Sequence, residues 1–280
     1  SQDIKNSKKY KGVYDKTIKR IVGSFLHLGS EKVIGKKAKN LLHQIWGAFY
    51  SSRPDFKKVL ANLEKSVQNP GAKHLENLKE AVLPVLQLQS SVKERVPILD
   101  EFYKKIFEVT GVPNSIIDHA CGLNPLAFPW MGLSETTSYK AFDIDSEEVD
   151  FLNSAFTLFG VKNFSAATGD VLSARNSFFG IRDGSVPLAK SEMGGEYADV
   201  VFLFKLLPCL DHQRKNSGIE LIKKLPCKFV VVSFPVKSLG GRKAGMADFY
   251  SNNFKNVIEK EGWNATEIVF DSELVFVIKK

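Results

Sequence analysis

Ser115-Ile-Ile-Asp-His-Ala-Cys-Gly-Leu-Asn-Pro-Leu-Ala-Phe-Pro-Trp130 reads as a buried strand, a glycine turn and a helix start in immediate succession. α/β enzymes hold a cofactor at such a junction. Asp143 ends the next predicted strand, about twenty residues on, where this architecture places an acid on a ribose hydroxyl. A dinucleotide site wants three glycines so that backbone and helix can approach a pyrophosphate. This turn keeps only Gly122, followed by Leu123, Asn124 and Pro125. Asn124 is expected as a helix N-cap and Pro125 as the first helical residue. With no phosphate cradle, the pattern suits S-adenosylmethionine, which carries a ribose and an adenine but no phosphate, better than NAD. A plain βα turn followed by a surface acid has the same spacing.

Downstream of Gly111-Val-Pro113 short β-rich runs alternate with helical ones. Strands are predicted at Ser115 to His119, Ser138 to Phe142, Asn163 to Ala167, Ala198 to Phe204, Lys228 to Phe234, Ala265 to Phe270 and Glu273 to Ile278. Amphipathic helices are predicted at Glu147 to Phe159, Gln213 to Lys224 and Met246 to Glu261. Alternation of this kind means a doubly wound, mostly parallel sheet of the α/β class. Only Asp271-Ser272 joins the last two strands, too short for a parallel crossover, so the sheet ends in an antiparallel hairpin. That closure is the layout of the class I S-adenosylmethionine-dependent methyltransferase fold. The stretch from Leu172 to Tyr197 fits the plan only as an insertion.

Upstream, the chain reads as helices separated by turn chemistry at Gly29-Ser30, Ser51-Ser-Arg-Pro54 and Asn69-Pro-Gly71. A further helix opens near Ser91, with Ser91 and Glu94 as a capping box and Pro97 kinking it or delaying its start. The formal net charge of +8 favours a polyanionic partner. Lysines crowd the first two segments, among them Lys8, Lys9, Lys16 and Lys19, with Arg20, and then Lys36 and Lys37. No apolar run approaches the roughly 20 residues of a membrane span, and the start lacks the apolar core of a signal peptide, so a cytoplasmic protein is expected. The three cysteines lack zinc-ligand spacing, and no metal is expected.

Several segments together resemble the aminoglycoside-resistance 16S rRNA (guanine-N7) methyltransferase family of the Arm/Rmt type. They are His43-Gln-Ile-Trp-Gly-Ala-Phe49, Lys93-Glu-Arg95, Ala120-Cys-Gly-Leu-Asn-Pro-Leu-Ala127, Asp143-Ile-Asp145, Phe204-Lys-Leu-Leu-Pro208, Ser233-Phe-Pro235, Ser238-Leu-Gly-Gly-Arg242 and Glu273-Leu-Val-Phe-Val-Ile-Lys-Lys280. They run in order from residue 43 to residue 280. The resemblance implies an N-terminal all-α domain, taken as residues 1–86, that docks on the small ribosomal subunit and its 16S rRNA. Residues 87–280 would then be the catalytic domain, methylating a guanine in the decoding site and so conferring aminoglycoside resistance. A monomer is expected.

Carried over by motif, the resemblance puts Arg95 on the methionine carboxylate, with Ser91 and Phe49 nearby. Ala120 and Gly122 would pass beneath the cofactor, Asp143 would take the ribose, Asp170 and Val171 would frame the adenine, and Phe204 and Gln213 would close the pocket. Val92, where the family usually has Thr, and Ala247-Asp248 after Met246 depart from the family pattern.

The chain after the fourth strand lacks the Asp/Asn-Pro-Pro-aromatic motif that orients an exocyclic amine. Guanine N7 has an in-plane lone pair and no proton to lose, so its methylation needs alignment and no general base. Lys205 is expected to hold the guanine O6 or an RNA phosphate. Lys237, Arg242 and Lys243, in a glycine-bearing loop, are further phosphate contacts. Two alternatives stay open: a cytosine-C5 methyltransferase with Cys209 as nucleophile, and a non-catalytic ribosome-binding factor on the same fold. A dehydrogenase is weakest, since two glycines are missing.

Overall fold

The computed structural model describes residues 2–7, 9–67, 74–173, 197–236 and 246–280. Seven strands form one sheet in the order β3-β2-β1-β4-β5-β7-β6. They are β1 (Ser115–His119), β2 (Ser138–Asp143), β3 (Phe164–Thr168), β4 (Ala198–Phe204), β5 (Cys227–Pro235), β6 (Asn264–Val269) and β7 (Glu273–Lys279). The first five run parallel, and β7 lies antiparallel between β5 and β6, as the short Asp271-Ser272 link requires. Because β1 pairs with both β2 and β4, the chain leaves it to opposite sides. That switch point opens a crevice beyond the carboxyl ends of the strands.

The helices among the described residues are α1 (Gln2–Lys5), α2 (Asp15–Ser24), α3 (Glu31–Ile45), α4 (Phe56–Val67), α5 (His74–Leu86), α6 (Ser90–Lys93), α7 (Leu99–Thr110), α8 (Ser146–Leu158), α9 (Leu206–Asp211), α10 (Ser217–Lys224) and α11 (Met246–Glu261). Alternate strand residues face opposite layers. Ile116, Tyr139, Val200, Phe202 and Val231 pack with α4, α5, α7 and α8. Ile117, Val201, Leu203, Val230 and Phe276 pack with α9, α10 and α11. Burying both faces explains why these strands read as continuous apolar runs.

A separate small core of Ile4, Tyr10, Val13, Ile18, Ile21, Ala38, Leu42 and Trp46 holds α1, α2 and α3 together. From Tyr50 onward, Phe56, Leu63, Leu78, Val82 and Leu86 belong to the core of the sheet. The packing therefore changes between Trp46 and Tyr50, whereas the sequence-based division falls at residue 86.

Several local expectations need correction. Pro97 sits in a 3-10 turn, Val96–Ile98, and α7 starts only at Leu99. There is no Ser91–Glu94 capping box: Gln89 stands at the N-cap of α6, and the Glu94 carboxylate turns to Lys205 instead. Asn124 is not an N-cap, since Leu123 takes that place before a 3-10 helix, Asn124–Trp130. Its buried amide has stronger partners in Asp118, Arg95 and Tyr103. The helix predicted from Gln213 begins at Ser217, because Asn216 adopts φ 63°, a left-handed value that a helix cannot continue through.

Candidate active site beyond the first two strands

As the chain leaves β1, Ala120 and Gly122 both adopt φ 51°. Only glycine takes that conformation without steric cost, so the strain at Ala120 marks a site where the backbone is held by its surroundings. Gly122 is required twice over, because a Cβ there would run into the Gln89 amide. Its N–H donates to Asp143 Oδ2 at 3.0 Å. Gln89 Oε1 accepts from the Leu123 N–H at 3.0 Å, and Gln89 Nε2 donates to the Tyr50 hydroxyl, which in turn donates to Glu148. The bend after β1 is thus fixed from both sides.

Around it lies a cavity whose wall includes Phe49, Ser91, Ala120, Gly122 and Asp143, then Gly169, Asp170 and Val171, and then Phe204, Lys205 and Gln213. Nine of the ten residues expected at the cofactor meet there; Arg95 is absent from the wall. The base of β2 is strongly acidic. Burial raises the Asp143 carboxyl to about 6, against the N–H groups of Gly122 and Asp145 that favour its ionised form. Asp145 caps α8 by accepting from the N–H groups of Glu147 and Glu148, and forms a two-pronged ion pair with Arg53 at 2.6 and 2.7 Å. Glu148 is buried in the cavity wall with Oε1 lacking any hydrogen-bond partner, and burial holds its carboxyl well above the ordinary range. A sugar with vicinal hydroxyls fits this wall, since it offers donors to Asp143.

Beside Asp143, whose carbonyl accepts from the Gly169 N–H at 2.8 Å, Gly169, Asp170 and Val171 follow β3 and line the same cavity. Both Nε and Nη2 of Arg20 lie 2.8 Å from Asp170 Oδ2, and Nη2 donates to Gln213 Oε1 at 2.8 Å. Arg20, expected on RNA, directs its guanidinium to the cavity wall. The reason is its place on α2, one turn from Thr17, which also lines the cavity.

Arg95, expected on the methionine carboxylate, is likewise engaged within the protein. It is 1% exposed, sandwiched between the Phe102 and Phe204 rings, and donates to Glu273 through Nε (3.0 Å) and Nη2 (2.5 Å) and to Asn124 Oδ1 through Nη1 (2.5 Å). It braces the Phe204 wall from behind. Lys205 is also not outward-facing. Its ammonium donates to Glu94 Oε2 at 2.7 Å and to the Ser91 carbonyl at 2.9 Å, with Glu273 Oε2 3.6 Å away. The residue itself opens α9 in a left-handed conformation, φ 54°. No anion from outside is needed to neutralise that ammonium.

Cys209 lines the cavity, but its thiol is pushed up to about 12 by burial and points its S–H at the Lys205 carbonyl, 3.7 Å away. A nucleophilic cysteine needs the opposite shift. Lys16, Lys19, Lys36 and Lys37 are exposed; Lys9 is exposed and sits 3.3 Å from His43 Nδ1. Lys8, Lys237, Arg242, Lys243 and nearly all of the Leu172–Tyr197 insertion fall outside the described residues. Among the described residues no acid, His or Cys cluster has the makings of a metal site, and no helix is long and apolar enough to cross a membrane.

Sequence reading missed Gln89, Glu148 and Thr17. Thr17 had a signal: it falls four residues before Ile21 on the apolar stripe of α2, where a hydroxyl is out of place. Glu148 had a similar one, falling three and four residues before Phe151 and Leu152 on the buried face of α8. Gln89 had none, since its contacts come from loops distant in the chain.

Residues 6–277 match the family described as Ribosomal RNA methyltransferase (FmrO). The chain is 36% identical over 282 residues to a 16S rRNA (guanine(1405)-N(7))-methyltransferase of Micromonospora rosea, covering all of this chain and 95% of that one. It is 31% identical over 286 residues to a protein of the same name from Proteus mirabilis, covering 99% and 95%. Among solved structures, the 16S rRNA methyltransferase RmtF in complex with S-adenosyl-L-homocysteine superposes with a TM-score of 0.78 at 28% identity, over 100% of this chain and 96% of that one. The 16S rRNA methylase RmtB gives 0.73 at 27% identity, over 100% and 96%. A sheet of this order, a one-glycine bend facing an acid, and a likeness that spans the whole length agree with one another: the chain belongs to the FmrO family of ribosomal RNA methyltransferases.

Proposed function

We propose that this protein is a 16S rRNA (guanine-N7)-methyltransferase that takes its methyl group from S-adenosylmethionine and acts on a decoding-site guanine of the small ribosomal subunit, with aminoglycoside resistance as the consequence. The observation that carries this reading is the Gly122–Asp143 pair at the switch point, in a chain alike over its full length to enzymes named for that reaction. Asp143 accepts from the ribose, and Ala120 and Gly122 pass beneath the nucleoside. Asp170 and Val171 frame the adenine. Phe49, Ser91, Phe204 and Gln213 close the remaining wall. Arg95 and Lys205 act as positioning residues: Arg95 braces Phe204, and Lys205 ties the end of β4 to Ser91 and Glu94.

When bound, S-adenosylmethionine supplies an electrophilic methyl group. The protein need not remove a proton, because guanine N7 presents a lone pair directly, and catalysis reduces to alignment in a site that excludes water. The absence of a low-pKa thiol at Cys209 supports N7 over ring carbon chemistry. N7 faces the deep, narrow major groove of A-form RNA, so the base must be exposed by distortion or flipping. The exposed Lys16, Lys19, Lys36 and Lys37, with Lys9, form the basic surface of an N-terminal helical unit that engages rRNA phosphates. The enzyme acts as a monomer.

The test is to incubate purified small subunits with labelled S-adenosylmethionine and map the modified nucleotide. Label at N7 of a single 16S guanine is expected; label on cytosine, or none, overturns the reading.

A further inference from the structure

Helix α2 carries two kinds of residue on neighbouring faces. Lys16 and Lys19 point into solvent, while Thr17 is fully buried and Arg20 is half-buried, both in the cavity wall beside Asp170 and Gln213. The Thr17 hydroxyl has no hydrogen-bond partner in this buried position. Leaving such a group unmade is costly, and the cavity is where a partner can arrive.

The helix is also stitched to the strand end that carries the ribose acid. The Tyr14 N–H donates to the Ile144 carbonyl at 2.7 Å, and both the N–H and the hydroxyl of Ser146 donate to the Gly12 carbonyl at 2.9 Å. Val13 and Asp145 form a β-bridge. Gly12 permits this approach, since a Cβ there would lie 2.7 Å from Arg53 Nη2 and 3.1 Å from Asp145 Oδ1. Residues 12–20 are therefore joined to residues 144–146 and to Asp170, which follow the neighbouring strands β2 and β3.

We infer that α2 supplies Thr17 and Arg20 as cofactor-site residues at the nucleobase end of the cavity, so that the helix offered to rRNA on its outer face also completes the S-adenosylmethionine site on its inner face. The inference rests on the cofactor assignment made above and adds an element that the assignment did not contain. Thr17 offers a hydroxyl to the purine or its ribose. Arg20 holds Asp170 and Gln213 in one arrangement before the ligand arrives, which removes the cost of ordering them on binding.

Titration calorimetry with S-adenosyl-L-homocysteine, on the full chain without RNA, tests this. Arg20→Ala is expected to weaken binding about tenfold, the loss of a charge-assisted network that orients two wall residues. Thr17→Val keeps the shape and removes the hydroxyl. It is expected to weaken binding about threefold or more while leaving the melting temperature of the ligand-free protein unchanged or higher, because the hydroxyl is unpartnered there. A purely structural Thr17 would instead leave the affinity alone. Affinities within about twofold of the parent in both variants, a difference of about 0.4 kcal/mol, would overturn the inference. Failure of the parent protein itself to bind the nucleoside would instead defeat the cofactor assignment beneath it.

Discussion

Arg95 and Glu273 form a fully buried, two-pronged ion pair that ties the turn after α6 to the first residue of β7, 178 positions away in the chain. Burial alone would raise the Glu273 carboxyl, but the Arg95 and Lys205 charges outweigh it and hold it below its ordinary value. Removing one partner leaves a buried cation uncompensated. Glu273→Gln is expected to destabilise the protein by about 3 kcal/mol, read as a lower urea midpoint at unchanged slope. A depressed acid contributes stability that is present above its unfolded pKa of 4.5 and lost as pH falls through the lower folded value. The variant should therefore differ from the parent most above pH 4.5 and converge with it in acid.

Lys205 lies inside this same network, and its position alters what its loss should do. An ammonium on RNA would affect turnover alone. Here it neutralises Glu94 and anchors the carbonyl of Ser91, which lines the cavity. Lys205→Ala should lower the affinity for S-adenosyl-L-homocysteine together with turnover on small subunits, each by about tenfold, the usual scale of a broken charge-assisted contact. Calorimetry set beside single-turnover methylation separates the cases. Intact nucleoside affinity with lost turnover would restore a contact to RNA.

The sheet was legible in the sequence because strands buried on both faces must be apolar throughout, and the two-residue link before Glu273 leaves no choice but a hairpin. Gly122 and Asp143 were legible for a related reason: backbone conformation and ribose chemistry restrict the residue types at those places. The partners of Arg20, Lys205 and Arg95 were not legible. Each is a long cation whose partner lies far along the chain, at Asp170, Glu94 and Glu273, and sequence spacing carries no information about such pairings. The helix α9 was also hidden, because its start depends on one left-handed residue, Lys205, that composition does not flag.

Gly122 provides a test of the bend itself. Gly122→Ala must place a side chain at φ 51° and push it into the Gln89 amide. A loss of about 2 kcal/mol or more in stability is expected, combining left-handed strain with the clash. The double variant Gly122→Ala, Gln89→Ala removes the clash and leaves the strain, so its unfolding free energy should recover part of the deficit. Strict additivity of the two substitutions would mean that the bend is not packed against Gln89.

Asp143 predicts a pH dependence of cofactor affinity. Only the carboxylate accepts from ribose hydroxyls at both oxygens, and burial raises this group from 3.8 to about 6. The affinity for S-adenosyl-L-homocysteine should be level above pH 7 and fall by about tenfold per unit below pH 6, one proton being released on binding. Asp143→Asn should bind more weakly and lose that slope. The same shift acts on stability with the opposite sign: the folded state holds the proton more tightly than the unfolded one. The ligand-free parent therefore loses stability as pH rises from about 4 to about 6, a loss of about 1.4 kcal/mol per unit from this group that the Asn variant lacks.

Cys209 separates nitrogen methylation from its carbon rival most directly. Attack on a cytosine ring requires a thiolate, and burial raises this thiol to about 12, leaving it almost wholly protonated at neutral pH. The Sγ–H donates to the Lys205 carbonyl within the α9 turn, 3.7 Å away. Deleting the sulfur removes one weak hydrogen bond and a small volume from a partly buried position, a change of about 1 kcal/mol or less in stability. Cys209→Ala should accordingly methylate small subunits at a rate close to that of the parent, and should modify the same nucleotide. A nucleophile would respond otherwise: the Ala variant would be inactive, and the parent would be trapped covalently by RNA carrying 5-fluorocytosine at the target. Finding either result would move the chemistry from guanine N7 to a pyrimidine carbon.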